Sequence, residues 1–401
     1  MVWDARGSPR SVHRPAVCGG LMATRSPLRR FAAMSTTLAD PDHSVDPGQS
    51  RPSVETGFYG LVPAPRRVFS GIQPTGTLHL GNYVAAIRPW VAAQNGSDMT
   101  LCVADLHALT TPESARHAPT RTKVRETAAI LLACGIDPVC ATLFVQSDVA
   151  AHAELAWLLL CVTPVGWLER MTQFKTRAAY VETLGTGLLA YPVLQAADIL
   201  LYRAHFVPVG EDQEQHIELT REVARRFHSL FGPVFTLPYA VVVPNGSRLM
   251  GLDDPSVKMS KSIAAVRKGH AIGLVDPPDE IRDAVMHAVT DSGREVRPGE
   301  TSPGITNLLT IYQTLSGVDE AAVNAEFAGK RYIILKRAVA DLTIAKLAPI
   351  RARYHELAGR PEAVDAVLAT GADRARLAAA PTLDRVKQLI GLSGSVKRRA
   401  S

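Results

Sequence analysis

The chain has 401 residues, of which 46% are hydrophobic and 20% are charged, and its formal net charge is +6 at pH 7. This composition is typical of an ordinary globular protein with room for about two to three domains. No uninterrupted apolar run is long enough to span a bilayer, so we expect no transmembrane helix and no membrane partner. The positive charge permits a polyanionic partner without demonstrating one.

The cysteine pattern predicts neither a disulfide framework nor a zinc site. The number of cysteines is odd and no CxxC pair is present, so reduced thiols are the default. The five residues are Cys18, Cys102, Cys134, Cys140 and Cys161. We therefore assign no protein ligand to a metal.

Residues 1–65 are predicted to be a disordered extension, because Pro, Ser, Arg and Ala dominate and no apolar period is evident. The first 39 residues hold six arginines and a single acid, Asp4. Mitochondrial transit peptides share that composition. We favour a disordered tail or an over-long gene start, since Met22 and Met34 could each begin translation.

From Arg66 onward the pattern alternates between strands and helices. A strand at Val68 and Phe69 is followed by a glycine-containing loop and a helix start at Leu78. Continuous apolar runs at 99–104 and 141–146 indicate buried parallel strands, with helices predicted near 120–134 and 153–161. This alternation predicts an α/β fold with a doubly wound, Rossmann-like parallel sheet.

The second half of the chain is predicted to become mainly helical. A helix at 187–201 contains one carboxylate, Asp198, and a strand at 206–209 precedes a long amphipathic helix that ends at Gly232. Helices are expected at 305–315 and at 332–357, the latter interrupted by Pro349. We place a catalytic domain at 66–262 and a helical region at 263–401.

Two short stretches have the character of phosphate-binding turns. The first, FSGIQPTGTLHLGNY at 69–83, places His79 and Asn82 at the first turn of a helix, after a loop with Gly76. Helix N-termini bind phosphate through backbone N–H groups, and glycine lets the backbone approach a ligand closely. An imidazole and an amide there could hold phosphate oxygens. The alternative is an ordinary strand–helix turn with a solvated histidine.

The second stretch is the KMSKS sequence at 258–262, which holds two lysines and two hydroxyls within five residues. A solvated basic loop is the alternative interpretation. An HxGN turn after the first strand and a KMSKS loop after the last together resemble the two signatures of class I aminoacyl-tRNA synthetases.

Several longer blocks resemble the bacterial tryptophanyl-tRNA synthetases. They are FSGIQPTGTLHLGNY, VQSDVAAHAELAW, LERMTQFK, YPVLQAADILLY, VPVGEDQEQHIELTREVARRF, AVTDSGR and SPGITNLL. The resemblance runs from about residue 68 to residue 392. It implies a cytoplasmic, homodimeric ligase that joins L-tryptophan to tRNA(Trp) with ATP and Mg²⁺, and a tRNA-binding helical region. Tyrosyl-tRNA synthetases share the scaffold and remain an alternative.

Asp198 carries the physical argument for tryptophan. Indole offers one N–H donor and no acceptor, so a buried carboxylate can accept that bond. An apolar analogue would leave the charge unsatisfied, which is costly. A tyrosine hydroxyl could also bond to Asp198, so the width of the pocket must separate the two amino acids. The alternative is a surface acid facing water.

The resemblance also implies which residues bind each substrate. Tryptophan would be held by Asp198, Phe69, Gln73, His107, Tyr191, Val207, Val209 and Gln213. ATP would be held by Gln73, Pro74, Thr75, Gly81, Asn82, Gly210, Glu211, Asp212, Leu249, Lys258, Met259, Ser260, Lys261 and Ser262. Catalytic roles would fall to His79, Asn82, Lys258 and Lys261, with Mg²⁺ held mostly by the ATP phosphates. From the pattern alone, Phe69, Val207 and Val209 could equally be core residues.

The chain departs from the family at three positions. Gln195 stands where many members carry Met, Leu106 where many carry Gln, and Ile263 where Asp is common. The first two concern the amino-acid pocket, and the third concerns the hinge of the KMSKS loop.

Two other functions use similar parts. A small nucleotidylyltransferase shares the HxGN turn, but the helical region after residue 263 argues against it. A non-catalytic tryptophan sensor need not keep the phosphate lysines, and this chain has both signatures.

Overall fold

The computed structural model describes residues 66–110, 116, 120–178, 185–210, 213–242 and 248–392. The predicted disordered extension at 1–65 lies outside these residues, as do Glu211, Asp212 and the side chain of Ser262. Within the described ranges, no helix is both long and apolar enough to cross a membrane.

Five parallel strands form one sheet in the order β3-β2-β1-β4-β5. The strands are β1 (Arg67–Ile72), β2 (Asp98–Val103), β3 (Ala141–Val145), β4 (Phe206–Val209) and β5 (Tyr239–Val242). This confirms the predicted doubly wound parallel sheet. The strand order reverses between β1 and β4, and such a switch point opens a ligand crevice at the carboxyl ends of the strands.

Among the described residues before β5, α-helices and one π-helical turn accompany the sheet. They are α1 (Leu80–Asn82), a π-helical turn (Tyr83–Ile87), α2 (Arg88–Ala93), α3 (Arg121–Ala133), α4 (Ala151–Leu160), α5 (Val165–Glu169), α6 (Thr172–Ala178), α7 (Thr186–Leu201) and α8 (Glu214–Phe231). Helices α1 and α2 are joined by the π-helical turn into one continuous helix. This helix starts directly after the loop that follows β1.

Beyond β5 the described chain is helical, as predicted. The helices are α9 (Lys261–Ala264), α10 (Pro278–Met286), α11 (Pro303–Ser316), α12 (Glu320–Phe327), α13 (Tyr332–Ala358) and α14 (Pro361–Leu389). The predicted interruption at Pro349 is wrong, because α13 continues through it. Proline removes one helical hydrogen bond, but Pro349 is exposed, and the neighbouring Leu347 and Ile350 are buried in the core and hold the helix there.

The sheet is buried on both faces, which explains its continuous apolar strands. Side chains alternate along each strand: Val68 packs into one cluster with α3, α10, α11 and α13, while Phe69 packs into the other with α4, α7 and α8. The functional consequence is that Phe69, on the second face, lies on the same side of the sheet as α7.

Helix α14 packs against the edge strand β3. A Cβ at Gly371 would lie 1.8 Å from the carbonyl oxygen of Leu143, so the helix needs glycine there. Arg374 Nη1 donates to the carbonyl oxygen of Pro138 at 2.7 Å. The close approach covers an edge that would otherwise expose unpaired backbone groups. The domain boundary near residue 263 stays a prediction.

Candidate active site

The two phosphate-binding signatures meet in space. Lys261 Nζ donates to the backbone oxygen of Gln73 at 2.9 Å, although the two residues are 188 positions apart in the chain. His79 and Lys261 both line one cavity of about 540 Å³, which we call the loop cavity. The HxGN turn and the KMSKS loop therefore form one site, as the sequence predicts.

Gly76 allows this close approach. Its φ is +60°, in the left-handed region that favours glycine. A Cβ at Gly76 would lie 2.8 Å from Cβ of Lys261, which is closer than two carbons can pack. On the other side of the turn, Leu80 N donates to the carbonyl oxygen of Ile272 at 2.8 Å and fixes the start of α1. Glycine is therefore needed at position 76 for both conformation and space.

We call the region where His79 and Lys261 line the same cavity the joint. Its electrostatics keep His79 neutral. Burial, followed by the positive charges of Lys261, Lys258 and His270, lowers the pKa of His79 to about 3. Its Nδ1 is buried and has no hydrogen-bond partner among the described residues. Burial and the charge of Lys123 lower the pKa of Lys261 to about 8. The joint thus presents a neutral imidazole beside a lysine that is easier to deprotonate than usual.

A second cavity of about 430 Å³ opens at the carboxyl ends of β1 and β4, and we call it the sheet-edge cavity. All eight side chains predicted to bind tryptophan line it, together with Asn82 and Gly210. Its volume is in the range of small-molecule sites. Its position is the crevice that the strand order predicts, and Asn82 connects it to the HxGN turn.

Asp198 lies buried at the floor of the sheet-edge cavity, with 3% of its surface exposed. Its carboxylate accepts from Gln146 Nε2 at 2.9 Å, and pairs with His152 Nδ1 at 2.6 Å and His107 Nε2 at 2.8 Å. Burial alone would raise the pKa of Asp198, but the charges and hydrogen bonds of His152 and His107 outweigh it and lower the pKa to about 2. Asp198 is therefore an anion that faces the cavity, and not a surface acid.

Sequence reasoning missed the residues that support Asp198. His152 is fully buried and its Nε2 lies 2.8 Å from the hydroxyl oxygen of Tyr202, whose ring stacks on Phe69 at a centroid distance of 5.5 Å. Gln146 directly follows β3. A polar residue at the carboxyl end of a buried parallel strand was the available signal for Gln146. His152 lies in an apolar helix and resembles a core histidine.

Tyr191, which also lines the sheet-edge cavity, is held by contacts of its hydroxyl group. Its hydroxyl donates to Gln173 Oε1 at 3.0 Å and lies 2.9 Å from His216 Nε2. The ring meets that of His107 edge to face, with centroids 6.4 Å apart. Gln173 belongs to the LERMTQFK block and His216 to the block that follows β4, so three separate sequence blocks converge on one tyrosine.

Residues 63–348 match the family of tRNA synthetases class I (W and Y). The chain belongs to this family. A tryptophan--tRNA ligase of Gloeobacter violaceus is 49% identical over 330 residues, covering 82% of this chain and 97% of that protein. A tryptophan--tRNA ligase of Caldanaerobacter subterraneus is 48% identical over 328 residues, covering 82% and 98%.

Solved structures of synthetases agree with the fold. Tryptophanyl-tRNA synthetase from Mycoplasma pneumoniae superimposes with a TM-score of 0.72 at 34% identity, covering 82% of this chain and 98% of that chain. The enzyme from Campylobacter jejuni, complexed with ADP and tryptophan, gives a TM-score of 0.71 at 33% identity, covering 81% and 100%. The resemblance stated from the motifs is thereby confirmed at the level of family and fold.

Some residues that the family resemblance assigns to ATP lie away from both cavities. Leu249 and Met259 are buried in the hydrophobic core, and Met259 N donates to the carbonyl oxygen of Leu249 at 3.1 Å. Ser260 Oγ accepts from Ile263 N at 3.3 Å and caps α9. Pro74 is buried beneath the loop. Their contacts with ATP stay predictions, as does that of Thr75.

The three departures from the family lie at different distances from the cavities. Gln195 lines the sheet-edge cavity beside Asp198. Leu106 begins a short 3₁₀ turn, Leu106–Leu109, and does not line that cavity. Ile263 lies in α9, where its backbone N–H takes part in the Ser260 cap. Only Gln195 is therefore placed where it would touch a bound amino acid.

Proposed function

We propose that this chain ligates L-tryptophan to tRNA(Trp) through tryptophanyl-adenylate, which forms from ATP with release of pyrophosphate. The observation that carries the proposal is the position of the buried Asp198 carboxylate. It faces the sheet-edge cavity, which is also lined by Gln73 and Asn82, and the backbone oxygen of Gln73 accepts a hydrogen bond from Lys261 in the loop cavity. An amino-acid pocket and a phosphate site are thus neighbours, as adenylation requires.

Tryptophan would enter the sheet-edge cavity with its indole N–H directed at Asp198. Both carboxylate oxygens already accept hydrogen bonds, and His107 is the donor that lines the cavity. The indole N–H would take the place of the His107 N–H on Oδ2. Phenylalanine has no such donor and would form no hydrogen bond with Asp198.

The adenylation step needs positioning and charge stabilisation and no protein nucleophile. An oxygen of the tryptophan carboxylate attacks the α-phosphorus of ATP in line, and the bond from that phosphorus to the pyrophosphate oxygen breaks. His79 and Asn82 would donate to the α-phosphate oxygens. Lys258 and Lys261 would neutralise the pyrophosphate as it leaves.

Mg²⁺ would enter with ATP. Among the described residues, no group of three His, Cys, Asp or Glu side chains is placed to hold a metal ion. The phosphates of ATP would therefore supply most of the oxygen ligands that Mg²⁺ prefers. The ion would share the neutralisation of pyrophosphate with the two lysines.

In the second step a terminal ribose hydroxyl of tRNA(Trp) attacks the acyl carbonyl of the adenylate, and AMP leaves. We propose that the helices after residue 263 contact the tRNA, since the chain is mainly helical there. We also propose that the enzyme works in the cytoplasm as a homodimer, which rests on the family resemblance.

ATP–pyrophosphate exchange tests the adenylation proposal directly. Exchange should depend on tryptophan and should be at least about 100-fold weaker with tyrosine or phenylalanine. Charging of tRNA(Trp) should follow when the tRNA is added. Exchange with tyrosine alone would identify a tyrosyl-tRNA synthetase. Exchange without charging of tRNA would mean that the protein catalyses adenylation only. No exchange at all would reject the proposal.

A further inference from the structure

A buried histidine lies beneath the KMSKS loop, outside the residues assigned so far. His270 has none of its surface exposed. Its Nδ1 is 2.5 Å from Asp253 Oδ1, and its Nε2 is 3.3 Å from the backbone oxygen of Lys258. Lys258 is the first residue of the loop. The ring therefore connects an acid at the rim of the loop cavity to the backbone of the signature.

Both partners of His270 are acceptors. A carboxylate oxygen and a carbonyl oxygen have no proton to donate, so each contact is a hydrogen bond only when the facing ring nitrogen carries a proton. With a proton on both ring nitrogens, the ring donates to both oxygens and forms an ion pair with Asp253. Arg267 Nη1 lies 3.7 Å from Asp253 Oδ2 and adds a second cation to that acid.

The surrounding backbone makes space for the ring. A Cβ at Gly251 would lie 2.4 Å from His270 Cε1, so a side chain there would push the imidazole away. Leu252 N donates to the carbonyl oxygen of His270 at 3.0 Å, and Gly251 N donates to that of Val257 at 2.8 Å. The segment before the loop thus pairs both with the loop and with His270. These contacts fix the position of the His270 ring.

Besides the contact with His270, the loop is attached at Met259, whose side chain lies in the hydrophobic core and whose N–H donates to the carbonyl oxygen of Leu249 at 3.1 Å. Met250 and Lys258 form an isolated antiparallel bridge, and Ser260 caps the one-turn helix α9. Lys258 itself is exposed. A hydrogen bond donated to the Lys258 carbonyl can therefore fix the position of this lysine before ATP binds.

We propose that His270, oriented by Asp253, is a positioning residue that anchors the KMSKS loop through the carbonyl of Lys258. It pre-places Lys258 and Lys261 for the ATP phosphates and does not touch the substrate. This inference rests on the proposed adenylation function for its kinetic consequence. The anchoring of the loop can be measured without any activity.

The first experiment compares His270→Ala with the native protein and with His355→Ala, a matched change at an exposed histidine on α13. We expect KM for ATP to rise about tenfold in His270→Ala, which corresponds to one lost buried hydrogen bond. KM for tryptophan should stay within about twofold, because the sheet-edge cavity is built by other residues. His355→Ala should change neither constant.

The second experiment uses trypsin, which cleaves after Lys258 and Lys261, with the fragments identified by mass spectrometry. Cleavage at these two lysines should be about tenfold faster in His270→Ala, because the open population of the loop rises. Cleavage elsewhere should be unchanged. Uniformly faster cleavage at all sites, or equal increases in both KM values, would show that His270 is only structural.

Two further variants keep the proposal testable if His270→Ala folds poorly. His270→Gln has an amide that can reach the Lys258 carbonyl, so it should restore much of the ATP affinity. Asp253→Asn should weaken ATP binding in the same direction, and combining it with His270→Ala should add little, because the two residues act as a unit. Additive effects would overturn the proposal.

The outcomes separate this inference from the proposed function. Absence of tryptophan-dependent exchange in the native protein would reject the function and leave the trypsin measurement intact. Native exchange with unaltered loop cleavage and unaltered KM for ATP in His270→Ala would reject the anchoring alone.

Discussion

The sheet-edge cavity and the joint between the two signature loops are built in opposite ways. The cavity rests on strands and long helices, and its determinants Phe69, Asp198 and Val207 are almost completely buried. The joint depends on the contact of Lys261 with Gln73, 188 positions away in the chain, and the exposed Lys258 lies three residues before Lys261. In the proposed function, selection of the amino acid would therefore use the rigid core, while the phosphate chemistry would use loops.

This difference has a physical reason. A buried anion must be paired and hydrogen-bonded, and packed elements hold its donors in fixed positions. Phosphates carry their charge into the site, and the exposed Lys258 can meet them without being buried beforehand. Changes in the cavity should therefore affect tryptophan binding and stability together. Changes in the joint should affect the rate with little effect on stability.

The largest expected effect is that of Lys261→Ala. The variant should lower kcat of ATP–pyrophosphate exchange by about 10²–10³-fold, because it removes a cation from the leaving pyrophosphate. Its melting temperature should stay within a few degrees of the native value. Lys336→Ala is the matched control, since Lys336 is a half-buried lysine that donates to the carbonyls of Met286 and Ala288. An unchanged kcat in Lys261→Ala would remove this lysine from the mechanism.

Asp198→Asn should raise KM for tryptophan about 100-fold and leave KM for ATP within about twofold. The amide keeps the shape of the carboxylate but loses its charge, and His107 and His152 lose an anionic partner. Steady-state exchange kinetics with each substrate varied would measure both constants. Asp365→Asn, at a half-buried ion pair with Arg125, serves as control. Equal losses for both substrates would make Asp198 a structural residue.

Gly76→Ala should lower exchange about tenfold by displacing Lys261. The matched control is Gly317→Ala, because Gly317, at the end of α11, also has a positive φ, of 76°, but a Cβ there would meet nothing within 4 Å. Both variants should lose about 1 kcal/mol of stability from backbone strain. Thermal melting and exchange rates measured side by side separate the two effects. If both glycine variants lost activity equally, contact with Lys261 would not matter.

The smallest effect concerns pH. Because the pKa of Lys261 is lowered to about 8, its charge is lost as the pH rises through that value, and exchange should fall severalfold between pH 8 and pH 9. His79, with a pKa of about 3, stays neutral and should contribute no change above about pH 4. Lys261→Arg stays charged, so its profile should remain flat to higher pH. An identical decline in both proteins would assign the pH dependence to another group.

Much of the fold and part of the site could be predicted from the sequence. The sheet and the two signatures follow from patterns that depend on local chemistry and on family resemblance. His152 and His270 could not be predicted, because a histidine among apolar residues has the same pattern whether it packs in a core or supports a site. Their partners, Asp198 and Asp253, identify their roles, and these partners are distant in the chain or lie in another segment.

By itself, the sequence determined the class of fold, the order of its elements and the presence of one acid, Asp198, on α7. These depend on periodicity, on glycine positions and on residue types. Only the tertiary structure decided which donors surround that acid and which histidine supports the lysine loop. Hydrogen bonds between side chains require distances of about 3 Å, and packing, not spacing along the chain, sets such distances.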